Sequence, residues 1–309
     1  MKKKSKKAKT FNDWAYLAIE KHTVKFTSHE AGVLLDRDIE ELHQMRIGMR
    51  KLRSALIGFA STLKLPKSAG KKQVANISRT LGKLRDIDVL LLTIEEKYLP
   101  VLPENEQVIL QQVYQQIKKQ RKKVFKIVSK TLQGDRYLKL KKALYKWLKK
   151  PHFLQKKSKH KNVVSNILIK NIESFFAHEG WQLGTEDNLS TQQVSDFLAQ
   201  QGYILHDLRK QAKNCRYQME LFKDFYGDEY RQYLREIKNI QTVLGNLQDD
   251  AVFTNILNEL INANWSKQMP SLEEIMLHDR YEDFLKWQQL KTKFSSLTEQ
   301  RKIYKVLLR

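Results

Sequence analysis

The sequence is short of punctuation: one cysteine, five prolines and eleven glycines in 309 residues. A lone cysteine, Cys215, excludes an internal disulfide, and too few Cys and His clusters accompany it for a structural zinc site. A reducing, cytoplasmic setting is expected. Scarce helix breakers, set beside abundant Leu, Lys, Gln and Glu, point to an all-α chain. No apolar run approaches membrane-spanning length, and the basic start leads into "FNDWAYLAIEKH", which lacks the uninterrupted apolar core of a signal peptide. A soluble intracellular protein is expected. Acids are scarce too: 34 Asp and Glu stand against 57 Lys and Arg, a net charge of +23. The tail "MKKKSKKAKT" holds six lysines, and taking those six from +23 leaves +17 on the remainder. A balance so far from neutral calls for a polyanionic partner without saying which.

What the chain does have is self-similarity. "HQMRIGMRKLR" (43 to 53) returns as "HDLRKQAKNCR" (206 to 216), a step of 163 positions from His43 to His206. The step pairs Arg46 with Arg209, Arg50 with Lys213 and Arg53 with Arg216. It also pairs Leu42, Met45, Met49, Leu52, Leu56 and Phe59 with Leu205, Leu208, Ala212, Cys215, Met219 and Phe222, so Cys215 takes a core slot. "LGKLRDIDV" (81 to 89) and "LGNLQDDAV" (244 to 252) keep the same step. Two motifs in one register mark a tandem duplication.

The expected organisation is a basic tail over 1–10, a first helical bundle over 11–150 and a second over 151–309, with the boundary in "KKPHFLQKKSKHK" (149 to 161). Helices are expected over 11–27, 37–63, 70–97, 104–132, 137–149, 161–179, 191–225, 229–263 and 272–307. Two four-helix bundles in tandem are the economical architecture.

At about 100° per residue, His43, Arg46, Arg50 and Arg53 fall within an arc of roughly 80°, directly beside the apolar stripe of the same helix. Like charges at this spacing repel, and something must compensate them. Asp86 and Asp249 are expected to orient a neighbouring Arg or His through charge-assisted hydrogen bonds. Two aspartates cannot neutralise eight positions, so a bound anion accounts for the rows better than an internal balance. Lys51 points elsewhere on the wheel, and Lys210 lies at the margin of the second row, where it extends the site.

Gly82 and Gly245, inside the following helices, are expected to let two helices approach closely. Arg79 and Lys83 share the face of Asp86, and Arg235 and Lys238 that of Asp249, widening the positive surface. From the run "KKQRKKVFK" (118 to 126), Lys118 and Lys122 are singled out because they share one edge of their helix. The candidate site is therefore His43, Arg46, Arg50, Arg53, Arg79, Lys83, Lys118, Lys122, His206, Arg209, Lys210, Lys213, Arg216, Arg235 and Lys238. No catalytic residue, metal ligand or cofactor is expected.

A histidine heading an "HxxRxxxRxxR" helix, followed by an "LGxLxDxxV" helix, with both units repeated in order, resembles the CHAD family, the conserved histidine α-helical domain. The resemblance implies two pseudo-symmetric four-helix bundles whose basic helices line a central groove or pore that binds inorganic polyphosphate. The second half departs from the first at Lys213 opposite Arg50, Gln248 opposite Arg85 and Ala251 opposite Asp88.

Nucleic acid is the alternative partner. A single-strand binder interleaves stacking aromatics with its cations, and the motif arcs contain none; no zinc finger or RNP signature is present. Family relatives are often joined to a CYTH-type triphosphatase, but this chain has no "ExExK" signature, Walker-type glycine loop or HD-type metal pair, so no hydrolysis is expected. A scaffold that recruits partners to polyphosphate granules is a third reading. The lysine-rich N-terminus reads as a solubilising tail, with an added electrostatic arm as the alternative.

Overall fold

Thr10 opens the helical part of the chain. Its hydroxyl accepts from the Asp13 amide, and the Asp13 carboxylate accepts from the Thr10 amide, a reciprocal cap that satisfies orphan donors at a helix start. The computed structural model describes residues 8–154, 160–184 and 189–308; part of the expected tail (1–7) and the centre of the expected boundary segment (155–159) lie outside them.

From that cap α1 runs Phe11–Ser28, followed by a short α2, Glu30–Leu35. Asp36 ends α2 with a left-handed φ of 50°, a conformation that a short polar side chain tolerates. Asp38 then caps α3, Ile39–Gly58, by accepting from the Glu40 amide. Next come α4 (Lys71–Thr93), α5 (Glu104–Gln133), α6 (Asp135–Lys149) and α7 (His160–Phe176). The chain continues with α8 (Thr191–Phe222), α9 (Asp228–Leu260), α10 (Trp265–Gln268), α11 (Pro270–Ser295) and α12 (Leu297–Leu308). Ser190 and Gln193 cap α8 as Thr10 and Asp13 cap α1. The fold is all-α; among the described residues the only β pairing is an isolated antiparallel bridge between Leu63 and Phe153.

The largest departures from the sequence expectation are three. α2 was not anticipated as a separate turn. α3 stops at Gly58 instead of 63, because the following segment is drawn out of helix by cross-chain bonds: Leu154 N to the Thr62 carbonyl, Lys64 N to the His152 carbonyl and the Trp147 indole to the Lys64 carbonyl. The single helix expected over 272–307 is two, broken where Ser296 takes an extended conformation. The Gln300 side chain then caps the Phe294 carbonyl at the break.

The chain forms two compact units, one of residues 1–89 and 118–164, the other of residues 90–117 and 165–309. The sequence boundary at 150/151 follows the repeat, whereas the compact units place 90–117 with the second. The reason is local bonding. After α4 the helix widens over Ile94–Tyr98, and Tyr98 stacks on Phe253 of α9 at 5.4 Å while Lys97 meets Asp279 of α11 at 2.7 Å. The buried Glu106 carboxylate accepts from the Ser271 and Leu272 amides at the start of α11.

Within the first unit α1 lies along α3, closest at Gly48, where a Cβ would come within 2.8 Å of the Phe26 amide nitrogen. Within the second, α8 packs on α9 with α11 across both. Trp181, Trp287, Phe175 and Phe294 fill the centre of that unit, with Trp181 centred 5.2 Å from Trp287 and 5.0 Å from Phe175.

Candidate functional site

All six expected core positions of α3, from Leu42 to Phe59, are buried, and so are all six of α8, from Leu205 to Phe222. Cys215 is among them, its thiol pKa pushed up by burial alone. The apolar stripes dictate the orientation of both helices, and each cationic row comes to lie beside its stripe, half in contact with the neighbouring helix. His43, Arg46, Arg50, His206 and Arg209 are half-buried; Arg53, Lys210 and Lys213 are exposed.

The same seat for an arginine occurs in each unit. Arg46 reaches from α3 across α4, where its Nη1 lies 3.4 Å from both the Gly82 carbonyl and the Asp86 carboxylate. Arg209 reaches from α8 across α9, its Nη2 3.8 Å from the Asp249 carboxylate. A Cβ on Gly82 would meet the Arg46 guanidinium at 3.7 Å, and one on Gly245 would meet Arg209 at 3.4 Å. The nearest atoms to Gly82 and Gly245 thus belong to an arginine side chain at ordinary contact distance and not to a helix backbone, which corrects the expected role; the helix–helix approach in the first unit rests on Gly48. Asp86 meets its arginine through the expected charge-assisted hydrogen bond, whereas Asp249 stands beyond hydrogen-bond distance and acts on Arg209 by charge alone; both carboxylates face solvent, their side chains 77% and 67% exposed.

The histidines head the rows in unlike company. Burial, followed by the positive charge of Arg85, holds the His43 pKa below the usual histidine value; Arg50 and Arg46 add to this and Glu40 opposes it. His206 is also lowered, first by burial and then by Lys210 and Arg209, but Asp207 and a hydrogen bond with the Gln248 side chain work the other way. Lys210 meets Asp207 at 3.1 Å, and Asp207 meets His178 at 3.2 Å. Arg216 does not match Arg53: it is buried, lies 4.7 Å over the Tyr217 ring and 3.9 Å from Glu220.

The outlying candidates are all exposed. Arg79 is exposed and hydrogen-bonds Asn76. Lys83, Lys118, Lys122, Arg235 and Lys238 are exposed on their own helices. Lys51 faces the other way, toward α1, where its charge acts on the buried His22.

Sequence reading missed two half-buried arginines that close on aspartates. Arg121, inside the lysine run of α5, donates from Nε to the fully buried Asp88 and from both Nη atoms to Asp36, all at 2.7 Å. In the second unit Arg280 donates from Nε to Asp250 at 2.7 Å and reaches Ser195 with Nη1. The available signal was the second aspartate of "RDIDV" and of "QDDAV". These aspartates lie one register apart, so the step that pairs Asp86 with Asp249 hides them. Among the described residues no group of three or more His, Cys, Asp or Glu side chains is gathered to hold a metal ion, and no helix is long and apolar enough to cross a membrane.

The family model described as CHAD domain matches residues 17–258. Among curated proteins none matches this chain in sequence. Two solved structures share the fold. One is the CHAD domain from the plant Ricinus communis, with a TM-score of 0.62 and 22% identity over 96% of this chain and 91% of that one. The other is PptA from Streptomyces chartreusis, with a TM-score of 0.64 and 14% identity over 93% of this chain and all of that one.

Proposed function

This chain belongs to the CHAD domain family, and from that premise we propose that it binds inorganic polyphosphate, without catalysis, through the basic rows that begin at His43 and His206. One observation carries the reading: an arginine held beside a glycine and loosely oriented by a solvent-facing aspartate occurs in each unit, at the head of a row rich in cations. An aspartate 3.4 or 3.8 Å away steers a guanidinium without saturating its five donors. A phosphate oxygen can take the remaining N–H groups, and the planar fork of arginine suits it. Polyphosphate carries about one charge per phosphorus with no sugar between links, so binding releases counterions and weakens steeply with salt. Location in the cytoplasm, and association with polyphosphate granules, belong to the same proposal.

The test is a competition between polyphosphate, RNA and DNA at fixed ionic strength, with a salt series for each. Polyphosphate is expected to win; preference for a nucleic acid would make that the partner. Charge reversal at Arg46 or Arg209 is expected to weaken polyphosphate binding at least tenfold, the loss of more than one charge-assisted contact. K51E, on the face toward α1, is expected to change it little. Equal effects of all three would mean that the charge acts diffusely and the rows are not the site. Release of phosphate from polyphosphate in the presence of Mg²⁺ or Mn²⁺ would overturn the non-catalytic part.

A further inference from the structure

The two rows descend from one pattern but are not electrically equal. In the first unit the stretch 43 to 53 contains no acid, whereas in the second Asp207 stands within the row and is ion-paired to Lys210 and to His178. The far end of the second row, Arg216, is buried against Tyr217 and beside Glu220, while Arg53 at the matching place is exposed. On the partner helix the matching position is Arg85 in the first unit and Gln248 in the second, and Gln248 hydrogen-bonds His206.

Arg85 stands on the face of α4 that carries Gly82 and Asp86, one turn from the seat of Arg46. Its charge acts on His43, on Arg46 and on the buried Asp88. Its Nη1 is buried and has no hydrogen-bond acceptor, and His206 Nδ1, Arg209 Nε and Arg216 Nε of the second unit are in the same state, so the inequality between the rows lies in their charge and not in unmet donors. A guanidinium N–H shut away from water with nothing to accept it, among two further arginines, costs folding free energy. Arg85 as a whole is half-buried, and an anion beside its accessible part offsets the mutual repulsion of Arg85, Arg46 and Arg50.

We propose that the first unit is the phosphate anchor of the molecule: His43, Arg46, Arg50 and Arg85 clamp one phosphate group of the polyphosphate chain, and the row of the second unit binds more weakly. Arg85 is thus a binding residue, and the Arg85/Gln248 difference sets the inequality. The inference rests on the polyphosphate reading above.

The test titrates the full-length protein with polyphosphate of defined length across a salt series, for wild type, R85Q and Q248R. R85Q, which copies the second unit, is expected to bind roughly tenfold more weakly, the effect of one lost charge-assisted contact. Its salt slope should also fall by about one counterion. Q248R, which copies the first unit, is expected to tighten binding. If R85Q does not fold, R46A against R209A decides instead, with the first expected to lose more. A second readout needs no variant: with tripolyphosphate added stepwise, the ring signals of His43 in NMR spectra should shift at lower concentration than those of His206. Wild-type protein that ignores polyphosphate would sink the parent reading. Wild-type binding combined with an unchanged R85Q, or with His206 responding first, would overturn the anchor alone.

Discussion

Two kinds of arginine hang on the same motif helices. Arg121 and Arg280 close on Asp88 and Asp250 at 2.7 Å, and the Asp88 side chain is fully buried. Arg46 and Arg209 stand 3.4 and 3.8 Å from Asp86 and Asp249, whose carboxylates look into solvent. Two residues along one helix, from Asp86 to Asp88, separate a loosely held side chain from a locked one. Where both partners are desolvated the pair belongs to the fold, since losing either strands a charge in a medium that cannot solvate it. Where the acid stays wet the pair contributes little to stability, and the arginine remains available to a ligand.

That contrast can be broken by experiment, and the largest effect falls on the locked pairs. R121A should lower the unfolding free energy by roughly 3–5 kcal/mol, the cost of leaving a buried carboxylate unpaired. R280A should cost somewhat less, because Asp250 keeps 14% of its side-chain surface. Denaturant titrations measure both, and R46A losing as much as R121A would erase the distinction.

The histidines extend the comparison. His22 is buried, and burial together with the charges of Lys51, Lys21 and Lys25 lowers its pKa to about 4 from 6.5. The unfolded chain therefore takes up a proton that the folded one refuses. Stability is full above pH 6.5 and falls progressively down to about pH 4, by up to roughly 3 kcal/mol. Melting temperatures across that range should show the decline, and H22Q should flatten it; a flat wild-type profile would show that His22 is not protected from protons.

A smaller difference is expected between the row ends. R216A removes a buried guanidinium from the Tyr217 ring and from Glu220 and should cost about 1–2 kcal/mol, while exposed R53A should stay within about 0.5 kcal/mol of wild type. The smallest effect belongs to the glycine seats. G82A meets nothing nearer than 3.7 Å and should gain up to about 1 kcal/mol of helix propensity. G245A, at 3.4 Å from Arg209, should gain less. A large loss in either variant would mean that the arginine cannot yield.

Much of this architecture was legible before folding. The apolar stripes of α3 and α8 placed twelve core positions correctly, because helical periodicity is a property of neighbouring residues and survives into the fold unchanged. Asp86 was assigned its arginine and its hydrogen bond correctly, and Asp249 its arginine but not the bond. The glycines were misassigned, since a glycine in a helix announces a close neighbour without saying whether that neighbour is backbone or side chain. Arg85 was passed over as a departure from the repeat, and Arg121 was hidden among five lysines of identical charge.

By itself the sequence determined an all-α chain, two cationic rows beside two apolar stripes, and an excess of positive charge that no arrangement of its own acids can cancel. Tertiary structure alone decided which acid each arginine meets, that residues 90–117 join the second unit, and that Arg216 is buried while Arg53 is not. The division follows from the range of the forces. Periodicity and net charge are written along one helix, whereas ion-pair choice and burial depend on helices that are distant in the chain and meet only when it is folded.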